Sequence, residues 1–292
     1  MQYQITIPQS LPEMTVKELL EQQLLIPRKI RHFLRTKKHV TVNDRSVNWQ
    51  SLVRPGDLLL LTFDREDYPS KEILAGNPKL VDCLYEDQHL IIVNKPEGMK
   101  THPNAPDETA LLNHVSSYVG QTCYVVHRLD KETSGAILFA KNPFILPIIN
   151  RLLEERKVSR TYLALCHGNC PKDSWTITDP IGRHRHDRRK RIVEHHKGRP
   201  AVTHIELVKK MQTACLLSCR LETGRTHQIR VHLAHHGLPI IGDPLYSQHK
   251  ACRLMLHAQS IQLIHPLTLE KLEIEAPSPR FDRLLTSMEA DL

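Results

Sequence analysis

The feature that constrains this chain most is a polar nine-residue stretch, residues 127–135, that stands directly before the apolar run 136–140. The five apolar residues predict a buried β-strand, and the Ser-Gly pair before them predicts a loop. That loop carries an imidazole, a guanidinium, carboxylates and two hydroxyls, a composition typical of an active site rather than of a hydrophobic core. Asp130 at its centre has two interpretations: a turn-capping carboxylate, or a nucleophile or general base.

The charge balance favours an anionic partner. Lys and Arg number 40 against 32 acidic residues, which gives a net charge of +8 and is typical of proteins that bind nucleic acid. The seven cysteines include no C-x-x-C pair, so we expect neither a disulfide framework nor a ribbon-type zinc site. The first residues lack a signal-peptide pattern, and no apolar run approaches about 18 residues. We therefore expect a cytoplasmic protein without a membrane segment.

Residues 1–65 are predicted to form a small first domain. Thr15 and Glu18 stand at the positions of a helix capping box, and Pro27 opens a second helix that is apolar on one face and basic on the other. Strands at 40–42 and 58–61 follow. This order, with its V-x-V-N entry and P-G-D turn, resembles the α-L RNA-binding domain first known from a ribosomal protein.

The resemblance covers about residues 13–63 and implies that the basic helix contacts RNA phosphates. The alternative is a solvated basic helix without a partner. The candidate RNA-binding residues on this helix are Arg28, Lys29, Arg31 and Arg35. Residues 66–80 are rich in charge, Pro and Gly, and are predicted to be a linker. The larger domain is then expected to span residues 81–292.

In the larger domain, short apolar or alternating runs predict strands, and two amphipathic stretches predict helices. The predicted strands are 90–93, 136–140, 160–165, two within 201–222, 254–258, 261–264 and 272–274; the predicted helices are 109–118 and 145–158.

A basic segment, residues 183–199, interrupts this pattern. It has eight Lys or Arg against two acidic residues, a net charge of +6, and glycines near both ends predict a loop or hairpin. It is either a solvated charge run or an arm that binds a phosphate backbone. The candidate RNA-binding residues in it are Arg188, Arg189, Lys190 and Arg191.

A second polar segment, residues 221–233, is predicted to be a turn that enters a helix. Thr226 is the predicted N-cap and Gly237 the predicted terminator. Arg230 then lies in the first turns of the helix, either as an ordinary surface arginine or as a functional group.

Three motifs taken together resemble the RluA family of RNA pseudouridine synthases: H-R-L-D-K-E-T-S-G at 127–135, L-E-T-G-R-T-H-Q-I-R-V-H-L at 221–233 and G-L-P-I-I-G-D-P-L-Y at 237–246. The resemblance runs from about residue 82 to 276. It implies an α+β fold with a mixed, largely antiparallel sheet, flanking helices and a central cleft, preceded by the small α-L domain. It also implies the isomerisation of uridine in ribosomal or transfer RNA to pseudouridine, without metal or cofactor.

The resemblance assigns roles to individual residues. Asp130 matches the catalytic Asp, with attack either on the ribose or on the uracil ring, and Arg230 matches its electrostatic partner. Tyr162 matches the Tyr that lies against the base, and Arg128 matches the residue that enters the space left by the flipped base. His127 and Arg225 are further candidates for substrate binding. An adjacent guanidinium also favours the ionised carboxylate in a cleft that excludes water.

The sequence allows two other classes of protein. The H-R-L-D sequence is similar to a kinase catalytic loop, but the chain has no glycine-rich phosphate loop and no D-F-G metal motif. The remaining alternative is a non-catalytic RNA-binding or ribosome-associated protein, which the presence of Asp130, Tyr162 and Arg230 disfavours. We expect the chain to act as a monomer.

Overall fold

The computed structural model describes residues 1–67 and 73–291. Five of the predicted linker residues, 68–72, therefore lie outside the described residues. No helix in the described ranges is long and apolar enough to cross a membrane.

The N-terminal unit pairs two helical segments with a small antiparallel sheet. Its elements are β1 (Gln2–Thr6), β2 (Met14–Thr15), α1 (Val16–Glu18), a π-helical segment (Leu19–Gln23), α2 (Arg28–Thr36), β3 (Val40–Val42), β4 (Arg45–Ser46), β5 (Leu52–Val53) and β6 (Leu58–Thr62). Within residues 1–67 the main sheet has the order β1-β6-β3-β4, and β2 pairs with β5. The predicted capping box is confirmed, because the Glu18 N–H donates to Thr15 Oγ1 at 3.2 Å and the Thr15 N–H donates to Glu18 Oε2 at 2.9 Å.

Strand β1 was not predicted, and it joins the two units. Its alternating pattern buries Tyr3 and Ile5, and it pairs with β6 along its whole length. The Tyr3 ring stacks on Phe144 of the larger unit, with 4.7 Å between ring centroids, and Phe63 lies 5.4 Å from the same ring. The N-terminal unit is therefore packed against the larger one through aromatic side chains.

The larger unit is built on a mixed sheet. Its elements are β7 (Cys83–Glu86), β8 (Leu90–Lys95), α3 (Leu111–Val119), β9 (Tyr124–Val125), β10 (Ser134–Ala140), α4 (Ile145–Glu154), β11 (Val158–His167), β12 (Ser174–Ile177), β13 (Ile181–Arg183), β14 (Arg191–Val193), β15 (Thr203–Lys210), β16 (Ala214–Leu221), α5 (Gln228–His235), β17 (Leu256–Ile264), β18 (Lys271–Glu275) and α6 (Pro279–Asp291). In the described chain the sheet order is β12-β15-β16-β11-β17-β10-β8-β7, with β18 on β17 and β9 on β10.

The pairing confirms a mixed, largely antiparallel sheet. Strands β10 and β17 run parallel, while the other strand pairs of the described chain are antiparallel. The parallel pair depends on Gly135, which has φ +114° and faces Ala258; a Cβ at 135 would lie 2.1 Å from the Ala258 carbonyl oxygen. Only glycine allows this approach. The loop 127–133 is thereby held beside the central strands.

Most of the predicted elements are present, with different ends, but the two strands predicted at 254–258 and 261–264 form the single strand β17. The second long helix, α4, ends at Glu154 instead of 158, because Arg156 adopts φ +59° and the chain enters β11 at Val158. Gly120 ends α3 in the left-handed conformation. The basic segment is a hairpin, since β13 pairs with β14. Strands β7 and β12 and helix α6 were not predicted.

Candidate active site

A cleft of about 710 Å³ lies where three parts of the larger unit meet. Its walls are the loop 125–130 before β10, the region from the end of α4 into β11, and the segment 221–230 that leads into α5. Asp130, Tyr162 and Arg230 all line it. The structure therefore brings together three residues that are far apart in sequence.

Arg230 joins two carboxylates in the floor of this cleft. Its residue is 1% exposed, and its Nε and Nη2 donate to the two oxygens of Asp243 at 2.7 and 2.8 Å. Its Nη1 donates to Asp130 Oδ2 at 3.0 Å, and Glu132 lies 3.7 Å away. The bidentate pair with Asp243 fixes the plane of the guanidinium, so that the remaining donor faces Asp130.

This arrangement keeps Arg230 charged. Burial acts to lower the pKa of Arg230, but the hydrogen bonds and charge of Asp243, and then of Asp130, outweigh burial and raise that pKa above its ordinary value. The guanidinium therefore stays protonated at every physiological pH and offers Asp130 a permanent positive neighbour.

The start of α5 differs from the prediction. The helix begins at Gln228, and its N-cap is His227 in the left-handed conformation, with φ +58°, so the expected cap at Thr226 was wrong. The physical reason is the Gln228 side chain: its Oε1 accepts from the Arg225 N–H and the Thr223 hydroxyl at 3.0 and 2.8 Å. These bonds close the turn at 223–228, and α5 begins without a side-chain N-cap.

The left-handed turn directs His227 into the site. Its Nε2 lies 3.7 Å from Asp130 Oδ2, and its Nδ1 shares a hydrogen bond of 2.9 Å with the Tyr246 hydroxyl. Burial lowers the pKa of His227, although the charge of Asp130 opposes this. A neutral imidazole therefore sits next to Asp130 and is itself oriented by Tyr246, whose ring also lies 5.3 Å from the Arg230 guanidinium carbon.

Tyr162 forms part of the wall opposite the loop. It lies in β11 between Cys219 of β16 and Ala258 of β17, and it is 5% exposed. Burial raises the pKa of its hydroxyl, so the phenol is protonated at neutral pH. Tyr162 can therefore present a flat apolar ring and a hydrogen-bond donor to a ligand.

The remaining predicted residues of the cleft differ in burial and in hydrogen bonding. His127 is buried, and its Nε2 accepts from the Leu138 N–H at 3.2 Å; burial lowers its pKa to about 3, so it is neutral. Arg225 lines the cleft and donates from Nε to the Pro200 carbonyl at 3.0 Å. Arg128 is exposed on the cleft rim and forms no ion pair with Glu132, the partner expected of an ordinary surface arginine.

Lys95 supports the loop 127–133 from the end of β8. It is fully buried, and its Nζ donates to the carbonyls of Pro96, Met99 and Lys131 at 2.9, 2.8 and 3.2 Å. Burial lowers the pKa of Lys95 to about 7, although the charges of Asp130 and Glu132 oppose this. The lysine thus ties the residue after Asp130 to the end of β8.

The predicted basic residues outside the cleft fall into two groups. In the β13–β14 hairpin, Arg189 is paired with Asp187 at 2.9 Å, and Arg191 donates to the carbonyls of Arg188 and Lys190. On α2, Arg31 pairs with Glu21. The more available cations are Arg188, Lys190, Arg28, Lys29 and Arg35.

Sequence reasoning missed Asp243, His227, Tyr246 and Lys95. Asp243 and Tyr246 stand inside the motif at 237–246, where an acidic residue next to a buried run was a usable signal. Nothing in the local sequence of Lys95 indicates that its ammonium group binds three carbonyls.

Comparisons with known proteins agree with this geometry. The family model described as RNA pseudouridylate synthase matches residues 89–235, and the model described as RluD ribosomal pseudouridine synthase N-terminal domain matches residues 3–59. The uncharacterized RNA pseudouridine synthase YhcT of Bacillus subtilis is 40% identical over 253 residues, covering 83% of this chain and 82% of YhcT. Ribosomal large subunit pseudouridine synthase D of Neisseria meningitidis serogroup B is 37% identical over 265 residues, covering 82% of this chain and 69% of that protein.

A solved structure shows the same fold. Human RNA pseudouridylate synthase domain containing 1 superposes with a TM-score of 0.58 at 24% identity, covering 75% of this chain and 98% of the human chain. Two family models match this chain, and its relatives are similar to it over most of its length. The chain therefore belongs to the RluA family of RNA pseudouridine synthases.

Proposed function

We propose that this pseudouridine synthase modifies specific uridines in ribosomal RNA and that Asp130 is its catalytic residue. The observation that carries the catalytic assignment is the 3.0 Å hydrogen bond from the buried Arg230 to Asp130 at the cleft. Support for ribosomal RNA comes from relatives named large subunit pseudouridine synthases, at 34–37% identity. Transfer RNA is the second candidate substrate.

The reaction needs a group that can form and break a bond to the nucleotide. The N1–C1′ bond of uridine breaks, uracil rotates, and a C5–C1′ bond forms; C5 then loses its proton and N1, freed from C1′, gains one, so atoms and electrons balance within one nucleotide. An ionised Asp130 is a suitable nucleophile for either the ribose or the uracil ring. Because the isomerisation is redox-neutral, the proposal includes no cofactor.

The other side chains take complementary roles. Arg230 stabilises the ionised form of Asp130, and its pair with Asp243 keeps it in place. Tyr162 lies against the uracil ring. Since the Tyr162 phenol is protonated, it can accept the C5 proton only if it gives up its own hydroxyl proton at the same time. Arg128, which is exposed on the rim, enters the space left by the flipped base.

RNA is held outside the cleft by charge. We assign residues 1–65 to an RNA-binding domain, 66–80 to a linker and 81–292 to the catalytic domain. The exposed cations of α2 and the β13–β14 hairpin contact phosphates, which gives affinity without sequence choice. We also propose that the protein acts as a monomer in the cytoplasm, where its RNA substrate lies.

Mapping of pseudouridine in cellular RNA tests the substrate. Ribosomal and transfer RNA are compared from cells with the protein, without it, and without it but carrying Asp130→Asn. We expect at least one pseudouridine of large-subunit ribosomal RNA to be absent from the second and third samples. Loss confined to transfer RNA would contradict the ribosomal assignment and leave the family unaffected.

A further inference from the structure

Arg160 is a buried arginine in the cleft wall without a protein partner. Its residue is 8% exposed, and its enclosed Nε makes no hydrogen bond. Within the described residues its Nη groups donate to no oxygen and no carboxylate pairs with it. Burying an unpaired charge is strongly unfavourable, so a guanidinium at this position indicates a ligand that supplies the missing charge.

Three other arginines of the cleft wall are already engaged, and a fourth, Arg128, is exposed on the rim. Arg230 binds Asp243 and Asp130, Arg156 pairs with Glu222 at 2.5 Å, and Arg225 donates to a backbone carbonyl. Arg160 differs from these three because it is both buried and unpaired.

Arg160 lies close to Tyr162, the residue proposed to contact the uracil base; the space beside Tyr162 is called the base site below. Arg160 and Tyr162 are both buried residues of β11 and stand two positions apart. Two residues along a strand span about 7 Å, a distance comparable with that between the base and the phosphate of one nucleotide. Arg160 and Tyr162 line the same cleft as Asp130.

The backbone at Gly224 lies close to the Arg160 guanidinium. A Cβ at residue 224 would lie 3.3 Å from Arg160 Nη1, so Gly224 brings the turn 223–226 close to the guanidinium. The Arg160 charge also acts on its neighbours: after burial, it contributes to the lowered pKa of His127, and it opposes the raised pKa of Tyr162. Its field therefore reaches both sides of the base site.

We propose that the Nη groups of Arg160 bind an RNA phosphate next to the target uridine, and this rests on the proposed function. A guanidinium matches phosphate oxygens with two parallel hydrogen bonds, and each nucleotide of the substrate brings one such anion into the cleft. The bound phosphate supplies the counter-charge that the protein lacks, and it fixes the ribose of the uridine relative to Asp130.

The test uses Arg160→Met and synthetic RNA hairpins that carry the uridine modified by the wild-type enzyme. Each hairpin has one uncharged methylphosphonate in place of a phosphate near that uridine. For wild type, we expect a methylphosphonate at one linkage next to the uridine to lower the affinity for RNA by about 10- to 100-fold. Arg160→Met should show a similar loss with unmodified RNA and no further loss from that methylphosphonate.

Arg220→Met is the matched control, because Arg220 lies opposite Thr161 on the neighbouring strand and is exposed. It should retain wild-type affinity and the wild-type response to methylphosphonate. The melting temperature of Arg160→Met should equal or exceed that of wild type, since the variant removes an unpaired buried charge. A lowered melting temperature with unchanged affinity would give Arg160 a structural role and overturn the proposal.

The methylphosphonate series with wild type needs no variant, so it remains decisive if Arg160→Met fails to fold. If no linkage next to the uridine is more sensitive than the distant ones, the phosphate subsite is wrong. A wild-type enzyme that forms no pseudouridine in any RNA would instead contradict the proposed function, and the two failures are distinguishable.

Discussion

Asp243→Asn should show how much of the site depends on the buried carboxylate behind Arg230. Asp243 is 2% exposed, and both of its oxygens accept from Arg230, at 2.7 and 2.8 Å. Asparagine keeps one carbonyl acceptor and loses the charge and the second acceptor. The guanidinium would then face a neutral amide and a single carboxylate, that of Asp130.

The magnitude follows from these contacts. One charge-assisted hydrogen bond is lost and a buried ion pair is broken, which together destabilise the protein by about 3 kcal/mol. For a chain of this size that corresponds to a fall in melting temperature of roughly 6–12 °C. Because Arg230 also loses its fixed orientation toward Asp130, we expect kcat to fall at least about tenfold, while KM for RNA changes little.

Thermal unfolding and single-turnover kinetics measure both effects. Asp179→Asn is the control: Asp179 pairs with His236 at 2.8 Å but is partly exposed, and such pairs contribute at most about 1 kcal/mol. A melting temperature within about 2 °C of wild type together with an unchanged kcat would refute the role assigned to Asp243.

Three further predictions concern the base site, the hairpin and the buried lysine. Tyr162→Phe keeps the ring and removes the hydroxyl, so RNA affinity should be retained while the release of tritium from [5-³H]uridine RNA slows at least tenfold; an unchanged rate would exclude the hydroxyl from proton transfer. Changing Arg188, Arg189, Lys190 and Arg191 to Gln should weaken binding to all RNA sequences and reduce the slope of log K against log salt concentration. Arg188 and Lys190 should account for most of this reduction, at about 0.7–0.9 of slope each. An unchanged slope would make the hairpin a solvated charge run. The pKa of Lys95 is about 7 in the folded protein and 10.5 in its ordinary state, so between these values the unfolded chain binds one more proton than the folded chain. The free energy of unfolding of the wild type should therefore rise by up to about 1.4 kcal/mol per pH unit from pH 7 to 10. Urea unfolding of Lys95→Met should lack this rise, and an equal dependence of the unfolding free energy on pH in both proteins would contradict the depressed pKa.

Much of the fold followed from local patterns. The capping box at Thr15 and the strands around 90–93 and 136–140 depend on residues a few positions apart, and the structure contains them. Strand β1 was missed because a five-residue edge strand is defined by its pairing with β6, nearly 60 residues away. The same holds for the aromatic contact between Tyr3 and Phe144, which no local pattern predicts.

The site divides in a similar way. The motifs identified Asp130, Tyr162 and Arg230 through family resemblance, and the cleft brings the three together. The start of α5 was misplaced because the Gln228 side chain, and not Thr226, satisfies the turn. Composition also could not separate free cations from paired ones: Arg189 and Arg31 are held by acidic side chains that only the folded chain brings near.

The central claim is that Asp130, held by Arg230, performs the chemistry on uridine. Purified Asp130→Asn is compared with wild type and with Asp107→Asn, a change at an exposed Asp outside the cleft lining, in single-turnover pseudouridine formation and in RNA binding. The account predicts that Asp130→Asn binds RNA within a few-fold of wild type and forms no detectable pseudouridine, while Asp107→Asn retains both properties. Pseudouridine formation by Asp130→Asn at a rate near that of wild type would contradict it.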